Sequence, residues 1–367
     1  MPLKKEMLLS ERMSRIDTSQ IRRAFDLASR LKDPLNLSIG QPHYKMPAEI
    51  AEALNRAVQE GKTSYTQTQG IYPLREKIAE RESTSERPVH PDGVLISSGV
   101  SSLLQLIFLS MIDPGDKILL IDPYFLMYKS LGNFFQSNII TVSENFTKED
   151  LEQVNTEHLK LILYASPSNP TGTILSRPQI QALADLADQT GALLVADEIY
   201  ELFDYDENFI SAGTIYPDAM VLKGFSKTYN MTGLRLSYAT GPLKVIGAMT
   251  VIQQYTVVCA PAPVQWAGLK ALDLDMSSYI DLYRQNRNLC FEKLKPHTKF
   301  PYPSGAFYIF PEIPSIDTEF TEYAASEKKL IIVPGSIFSE KNNHVRISFA
   351  TDQDHLTAGL DAFISLL

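Results

Sequence analysis

The chain contains 367 residues, of which 44% are hydrophobic and 21% are charged, a balance that is typical of globular proteins. Its 34 basic and 43 acidic side chains give a formal net charge of −9, which argues against the basic surface that binding a nucleic acid requires. No stretch of the sequence approaches the roughly 20 apolar residues of a membrane span, so we expect neither nucleic acid nor a membrane as a partner.

The first predicted elements lie near the N-terminus. Residues 33–45 contain two prolines and a glycine and are predicted to form an irregular segment. Residues 47–59 are predicted to form a helix, because Ile50, Leu54 and Ala57 share one face. Gly61 follows this stretch as a stop signal.

The middle of the chain alternates short apolar runs with helical patterns. The runs are apolar on both faces, as the strands of a covered parallel sheet are. They lie at residues 117–121, 161–165, 192–196, 220–222 and 236–239. Helix-compatible stretches include residues 101–111 and 177–190, and the second has Pro178 near its start and Gly191 just past its end. This alternation predicts an α/β fold with a mostly parallel sheet between helical layers.

The C-terminal part of the chain has a different pattern. After about residue 265, helical patterns lead into the runs GAFYIF, LIIVPG and VRISFA, which predict a small α+β unit. A domain averages roughly 150 residues, so the length favours two or three domains. We predict a large domain over residues 46–265 and a smaller domain formed by residues 1–45 together with residues 266–367.

The cysteine and histidine residues indicate the redox compartment and argue against a metal site. Cys259 and Cys290 form no C-x-x-C pair and cannot provide a four-ligand zinc site by themselves. The six histidines show no ligand spacing, so no metal is expected. The N-terminal residues lack the apolar core and the cleavage site of a secretory signal, and we therefore expect a reduced, cytoplasmic compartment.

Polar residues follow the predicted strands, at the sheet edge where ligands bind in open α/β folds. Asn169 follows the run at 161–165, Asp197 and Tyr200 follow the run at 192–196, and Lys227 follows the run at 220–222. Each residue alone has an ordinary structural explanation, as part of a turn, as a helix cap or as a solvated lysine.

Taken together, these residues meet the demands of the ring of pyridoxal 5'-phosphate. Its aldehyde needs a lysine such as Lys227 for a Schiff base. Its ring nitrogen needs a carboxylate such as Asp197, because the protonated ring draws electrons from the substrate α-carbon. Its ring oxygen needs hydrogen-bond donors, which Tyr200 and Asn169 provide.

The phosphate of this cofactor needs donors and positive charge. Ser226 precedes Lys227, and Arg235 follows eight positions after it. The stretch SSGVSS places Gly99 and its neighbouring amides ahead of a predicted helix, whose N-terminus favours an anion. The sequence therefore predicts pyridoxal 5'-phosphate as the cofactor.

Over nearly its whole length, the chain resembles the class I/II aminotransferase family of fold type I pyridoxal phosphate enzymes. Eight markers carry the resemblance, and they occur in the order in which the family has them. They are LSIGQP at 37–42, SYTQTQGIYPLR at 64–75, SSGVSS at 97–102, DPYFLMY at 122–128, SPSNPTG at 166–172, DEIY at 197–200, GFSKTYNMTGLRL at 224–236 and VRISFA at 345–350. Eight markers in order are far more specific than any one of them.

The resemblance implies a role for each residue at the cofactor ring. Lys227 would bond to the cofactor aldehyde and then move the proton between the substrate α-carbon and the cofactor. Asp197 would pair with the ring nitrogen, and Tyr200 and Asn169 would contact the ring oxygen. Phe125 would stack on the ring face.

The resemblance also implies how the phosphate and the substrate are held. The phosphate contacts would come from Ser226, Arg235, Gly99, Val100, Ser101 and, from the partner subunit, Tyr65. Arg346 would bind the substrate α-carboxylate through a bidentate fork, supported by Asn169 and the backbone of Gly40. Because the active site of this family lies at a subunit interface, the resemblance implies a homodimer.

Several positions depart from the family pattern. Gly224 stands where many members have serine, and Ser237 stands where glycine or alanine commonly follows the arginine. Phe125 occupies a position that is often tryptophan. Val100 and Ser101 lie where some aspartate-specific relatives have a lysine for the second carboxylate of the substrate, so the resemblance does not imply strict aspartate specificity.

The resemblance implies an aminotransferase that works by a ping-pong cycle between an L-amino acid and a 2-oxo acid, with glutamate and 2-oxoglutarate as one pair. An alternative on the same fold is β-elimination by a C–S lyase, or cyclisation of an amino acid. A non-enzymatic regulatory protein is a further alternative, but both Lys227 and Asp197 are retained and the acidic chain has no spare segment for a DNA-binding domain. The sequence does not identify the amino donor.

Overall fold

The computed structural model describes residues 9–16 and 31–367. Its β-strands are β1 (Leu35–Asn36), β2 (Val94–Ser97), β3 (Lys117–Asp122), β4 (Asn138–Ser143), β5 (Leu159–Ala165), β6 (Leu193–Asp197), β7 (Met220–Gly224), β8 (Ser237–Thr240), β9 (Tyr308–Ile309), β10 (Leu330–Ile331), β11 (Val333–Pro334) and β12 (Val345–Ser348). Its α-helices are α1 (Ala48–Gln59), α2 (Tyr72–Glu82), α3 (Val100–Met111), α4 (Leu126–Phe134), α5 (Lys148–Glu152), α6 (Arg177–Thr190), α7 (Ala212–Ile215), α8 (Leu243–Gln254), α9 (Ala262–Ala271), α10 (Ser277–Leu294), α11 (Asp317–Lys328) and α12 (Gln353–Ile364).

A seven-stranded sheet forms the centre of the fold, with the strand order β2-β8-β7-β6-β5-β3-β4. All neighbouring strands are parallel except β8, which is antiparallel to both β2 and β7. The predicted α/β fold with a mostly parallel sheet is thus confirmed. The five predicted runs correspond to β3, β5, β6, β7 and β8, whereas β2 and β4 were not predicted from the sequence.

Helices cover both faces of this sheet because the strand side chains alternate between the faces. Leu120, Leu163 and Val195 pack with α3 and α8 in one apolar cluster. Their chain neighbours Leu119, Ile162 and Leu194 pack with α6 in a second cluster on the opposite face. The central strands therefore read as continuous apolar runs, which is the pattern that the sequence showed.

The helix α6 shows why the local sequence signals were reliable. At its start the Gln179 side chain accepts a 3.1 Å hydrogen bond from the backbone N–H of Ser176, which forms half of a capping box. At its end Gly191 adopts a left-handed conformation with φ of 71°, and its N–H donates to the Ala187 carbonyl at 2.8 Å. The structure gives α6 the bounds Arg177–Thr190, as predicted.

The C-terminal part contains two small sheets beside α10, α11 and α12. Strands β11, β12 and β9 form a three-stranded antiparallel sheet in that order. Strand β1, from the N-terminal part, pairs in parallel with β10. The proposed division at residues 45 and 265 stays a prediction, and its residues 1–8 and 17–30 lie outside the described part of the chain.

Within residues 9–16 and 31–367, no helix is long and apolar enough to cross a membrane.

Candidate active site

A cavity of about 270 Å³ opens at the carboxyl ends of β5, β6 and β7. The sequence-predicted residues that line it are Gly40, Val100, Ser101, Phe125, Asn169, Asp197, Tyr200, Ser226, Lys227, Arg235 and Arg346. Those that follow β5, β6 and β7 meet here because parallel strands end at the same edge of the sheet, whereas Arg346 reaches the cavity from β12. The structure therefore brings together most of the residues that the sequence singled out.

Lys227 faces the cavity with a free amine. Its Nζ donates a 2.6 Å hydrogen bond to the carbonyl oxygen of Gly40. Burial, together with the smaller effects of the Arg346 and Arg235 charges, lowers the pKa of Lys227 to about 8, while the charge of Asp197 opposes this shift. A buried lysine with a lowered pKa is a good nucleophile near neutral pH.

Asp197 ends β6 and its side chain is almost fully buried. Its Oδ2 accepts a 2.7 Å hydrogen bond from the hydroxyl of Tyr128, and its Oδ1 accepts a weaker one of 3.3 Å from the backbone N–H of Ile199. Burial raises the pKa of Asp197 to about 6, and the two hydrogen bonds and Lys227 oppose that rise. A cationic partner in the cavity would keep this carboxylate ionised.

Two phenols meet in the lining of the cavity. The hydroxyls of Tyr200 and Tyr308 are 2.8 Å apart, and both side chains are buried. Burial raises the pKa of both groups, so both remain protonated near neutral pH and act as hydrogen-bond donors.

Arg346, in β12, is held in a fixed orientation. Its Nη1 donates to the side-chain oxygen of Asn169 at 3.1 Å, and its Nη2 donates to the Ser38 carbonyl at 2.8 Å. Its guanidinium carbon lies 4.5 Å from the ring centre of Tyr308 and 4.9 Å from that of Phe338. Nε is buried and has no hydrogen-bond partner among the described residues. A guanidinium has five N–H donors, so three remain for a carboxylate.

The other end of the cavity offers positive charge and close backbone approach. Arg235 adopts a left-handed conformation with φ of 56°, and its Nη1 donates to the Thr232 carbonyl at 3.0 Å. Gly99 lies against it, since a Cβ at Gly99 would be 2.2 Å from Nη2 of Arg235. Gly99 also has φ of 86° and immediately precedes α3, so this loop brings a helix N-terminus close to the guanidinium.

The structure separates two predicted residues from the cavity lining. Gly99 lies behind Arg235 and does not line the cavity itself. Tyr65 is 84% exposed on the surface of the chain and does not line the cavity either. This position is compatible with the predicted contact to a partner subunit, which stays a prediction.

Gly224 and Ser237, two of the positions that depart from the family pattern, face each other. Gly224 in β7 and Ser237 in β8 are register partners of the antiparallel pair. A Cβ at Gly224 would lie 3.0 Å from the Cβ of Ser237 and 2.9 Å from Cδ1 of Ile199. Glycine at one position therefore makes room for serine at the other.

Tyr128 and Tyr308 also line the cavity, although neither was predicted from the sequence to have a role there. Tyr128 lies three residues after Phe125, one helical turn away, which was a usable signal for a shared face. Tyr308 lies within GAFYIF, where its partner Tyr200 is 108 residues distant in sequence, so no local pattern links them.

The structure also shows whether side chains are arranged to bind a metal and whether the two cysteines are paired. In the ranges 9–16 and 31–367, no group of three or more histidine, cysteine, aspartate or glutamate side chains is arranged to hold a metal ion. Cys259 and Cys290 are both free thiols.

Comparisons with known proteins identify relatives of the whole chain. Residues 32–363 match the family model described as "Aminotransferase class I and II". The chain is 36% identical to the probable aspartate aminotransferase of Methanocaldococcus jannaschii, over 96% of this chain and 98% of that protein. It is 31% identical to the aromatic-amino-acid aminotransferase 2 of Thermococcus litoralis, over 98% of each chain.

Solved structures give the same result for the fold. The crystal structure of aspartate aminotransferase from Thermotoga maritima superposes with a TM-score of 0.90 at 32% sequence identity. The superposition covers 97% of this chain and 99% of that one. The similarity therefore extends over both the central sheet and the C-terminal sheets.

Proposed function

The chain belongs to the class I and II aminotransferase family and is an aminotransferase, and we propose that it transfers an amino group between an L-amino acid and a 2-oxo acid with pyridoxal 5'-phosphate as cofactor. The environment of Lys227 is the observation that supports this proposal most directly. Its amine is buried in the cavity, and its pKa is lowered to about 8. An amine of this kind is suited to bond with an aldehyde and then to accept and return a proton.

The residues around Lys227 fit the cofactor ring. Asp197 is a buried carboxylate whose hydrogen bonds within the described part of the chain come from a phenol and a backbone N–H, so a protonated ring nitrogen would serve as its cationic partner. Tyr200 and Asn169 line the cavity where a ring oxygen would find donors, and Phe125 offers a ring face. Bound there, the cofactor would supply the electron sink that stabilises negative charge on the substrate α-carbon.

The phosphate fits the end of the cavity formed by Ser226, Arg235 and the start of α3. The close approach of Gly99 to Arg235 supports this placement, because any side chain at Gly99 would displace the guanidinium. Val100 and Ser101 open the helix and can present backbone N–H groups to an anion.

Arg346 is the proposed site for the substrate α-carboxylate. Three of its N–H donors are unused by the described residues, and its orientation is fixed by Asn169 and Ser38. Gly40 lies beside it and accepts from Lys227, so the carboxylate and the reacting amine would be close together. We propose glutamate and 2-oxoglutarate as one of the two substrate pairs.

We also propose a homodimer with shared active sites. The large apolar side chains that are exposed on the surface of the chain include Val58, Tyr65, Tyr72, Tyr255, Val257 and Val258. Burial of such side chains against a second copy of the chain would support this assembly. Tyr65 would then reach the phosphate of the partner subunit, and sedimentation analysis of the purified protein tests the assembly.

The cytoplasm is the proposed compartment, since both cysteines are free thiols as expected of a reducing environment.

Transamination is favoured over elimination or cyclisation by the relatives, which are named as aspartate and aromatic-amino-acid aminotransferases.

Replacing Lys227 with alanine tests the proposed function. Borohydride should fix the cofactor covalently to the wild-type chain, and the variant should neither trap it nor turn over donor and acceptor. A control variant, Lys293→Ala, removes a surface lysine that pairs with Asp361 and should behave as wild type. Undiminished turnover in Lys227→Ala would refute the assignment.

The half-reaction separates transamination from its alternatives. An amino donor alone should convert the absorption band of the bound cofactor to that of the amine form, and 2-oxoglutarate should restore it. Release of ammonia and pyruvate without that conversion would point to elimination instead.

A further inference from the structure

Tyr308 contacts three groups of the candidate site at once. Its hydroxyl is 2.8 Å from the hydroxyl of Tyr200. The guanidinium carbon of Arg346 lies 4.5 Å from the centre of its ring. Its hydroxyl also occupies the space beside Gly40, where a Cβ would lie only 2.6 Å from it. No other described side chain joins Tyr200 to Arg346 in this way.

The surroundings hold Tyr308 in one position. It lies in β9, which pairs with β12, the strand that carries Arg346, through the register Ser348 to Tyr308. The ring of Phe307 is packed against it at 4.8 Å between centroids, and the side chain is 1% exposed. The hydroxyl therefore has few orientations available, and its hydrogen bond to Tyr200 is pre-organised.

The direction of that hydrogen bond follows from counting protons. A phenol carries one donor proton. If Tyr200 gives its proton to the cofactor ring oxygen, it can only accept from Tyr308. Tyr308 must then be the donor, and a chain runs from Tyr308 through Tyr200 to the ring oxygen. Donors that are linked in a chain strengthen one another in a buried site.

We propose that Tyr308 is a positioning residue for aminotransfer, whose hydroxyl holds Tyr200 toward the cofactor ring oxygen and whose ring holds the Arg346 guanidinium at the substrate carboxylate site. The inference rests on the proposed function. It assigns one side chain to both the cofactor and the substrate ends of the cavity. Tyr308 itself touches neither the phosphate nor the reacting amine.

The proposed role of the Tyr308 hydroxyl can be tested by absorption spectroscopy of the bound cofactor. A donor at the ring oxygen stabilises the deprotonated form of the bound cofactor, so a weaker donor raises the pH at which its absorption changes. Tyr308→Phe should move this transition upward by about 0.5 of a pH unit, which is the size of one modest hydrogen bond. The other ionisable groups that face the phenol pair are Lys227, Asp197 and Arg346, and all remain in this variant.

A double-mutant cycle separates positioning from a general structural effect. Tyr200→Phe removes the intermediate hydroxyl, so Tyr308→Phe should cause no further shift in that background. An unchanged transition in Tyr308→Phe, or an equal shift in both backgrounds, would overturn the role of the hydroxyl. Absence of any cofactor band in the wild-type protein would refute the proposed function, and the inference with it.

A second substitution tests the proposed role of the Tyr308 ring, which is to hold the Arg346 guanidinium. Tyr308→Phe keeps an aromatic face against Arg346, whereas Tyr308→Leu removes it. We expect KM for the amino donor to stay within about 2-fold of wild type in the phenylalanine variant and to rise about 3- to 10-fold in the leucine variant. Equal KM values in the two variants, both with wild-type melting temperatures, would overturn the role of the ring.

Discussion

The hydroxyl of Tyr128 donates a 2.7 Å hydrogen bond to Oδ2 of Asp197, and both side chains are buried. Tyr128 lies in α4 and Asp197 ends β6, so the bond joins a helix to the sheet 69 residues further along the chain. Because this hydrogen bond opposes the effect of burial on the pKa of Asp197, Tyr128 helps to keep the carboxylate ionised.

Tyr128→Phe should therefore weaken cofactor binding in a pH-dependent way. Without the hydroxyl, the pKa of Asp197 rises above about 6, and a larger fraction of it is neutral at pH 7. We expect the Kd for pyridoxal 5'-phosphate, measured by absorption titration of the apoprotein, to rise about 3- to 10-fold at pH 7 and less at pH 8.5. Tyr124→Phe is the control, since its hydroxyl donates to Glu340 instead. An equal loss at both pH values would contradict the explanation.

Cofactor capture by the apoprotein should depend on the protonation of Lys227. Only the neutral amine attacks an aldehyde, and burial together with Arg346 and Arg235 lowers the pKa of Lys227 to about 8. The rate should rise with pH through a midpoint near 8, whereas an exposed lysine titrates near 10.4. Stopped-flow absorption measures this profile.

Removing a neighbouring charge should move the same midpoint. Arg346→Met deletes a cation whose charge lowers the pKa of Lys227, so the midpoint of cofactor capture should shift to higher pH. A midpoint above pH 9.5 in the wild-type apoprotein, or no shift in the variant, would contradict the explanation that burial and the nearby guanidinium groups lower the pKa of Lys227.

The sequence predicted the fold where its signals were local. Strands buried on both faces, such as β5 and β6, read as apolar runs, and α6 has a cap at each end. Strand β4 was missed because it lies at the sheet edge, where its residues are partly exposed. Strand β2 has four buried residues, as the predicted β8 does, so neither its length nor its burial explains why it was missed. Burial on both faces therefore helped to recognise strands but did not decide the outcome alone.

The same limit applies to the candidate site. Residues at strand ends, such as Asp197 and Lys227, could be predicted because topology brings them to one edge. The links of Tyr128 to Asp197 and of Tyr308 to Tyr200 could not, because they join residues that are 69 and 108 positions apart and depend on side-chain packing. Supporting residues of this kind become visible only in three dimensions.

Lys223 lies in a buried group of charges below the site. Its Nζ is 2.7 Å from Glu82, 2.6 Å from Glu201 and 3.5 Å from Glu198. Burial lowers the pKa of Lys223, but the three carboxylates outweigh it and shift the pKa upward. Burial also raises the pKa of Glu198 to about 7.

Lys223→Met should therefore destabilise the fold by about 3–5 kcal/mol, since it removes the lysine that pairs with the buried carboxylates of Glu82 and Glu198. Urea unfolding measures the loss. The control is Lys129→Met, which breaks a partly exposed pair of 2.6 Å with Glu340 and should change stability by less than about 1 kcal/mol. Similar losses in the two variants would contradict the distinction between buried and exposed pairs.

Gly40→Ala should disturb the site without unfolding the chain. The added Cβ would lie 2.6 Å from the hydroxyl of Tyr308, so that hydroxyl must move. We expect kcat to fall at least about 10-fold, with a change in melting temperature of only a few degrees. Gly247→Ala is the control, because a Cβ there has no neighbour within 4 Å and α8 should gain about 0.5–1 kcal/mol.

Gly224 and Ser237 both depart from the family pattern, and their contact in the sheet means that each residue depends on the size of the other. Gly224→Ser places a Cβ 3.0 Å from that of Ser237 and should cost about 1–3 kcal/mol through overpacking. Ser237→Gly should also destabilise β8, because it empties a buried position and frees the backbone. The double variant exchanges the two residues, so its loss in urea unfolding should be smaller than the sum of the single losses by at least about 0.5 kcal/mol. Strictly additive losses would mean that the two strands accommodate each position independently, and that their contact does not explain the departures.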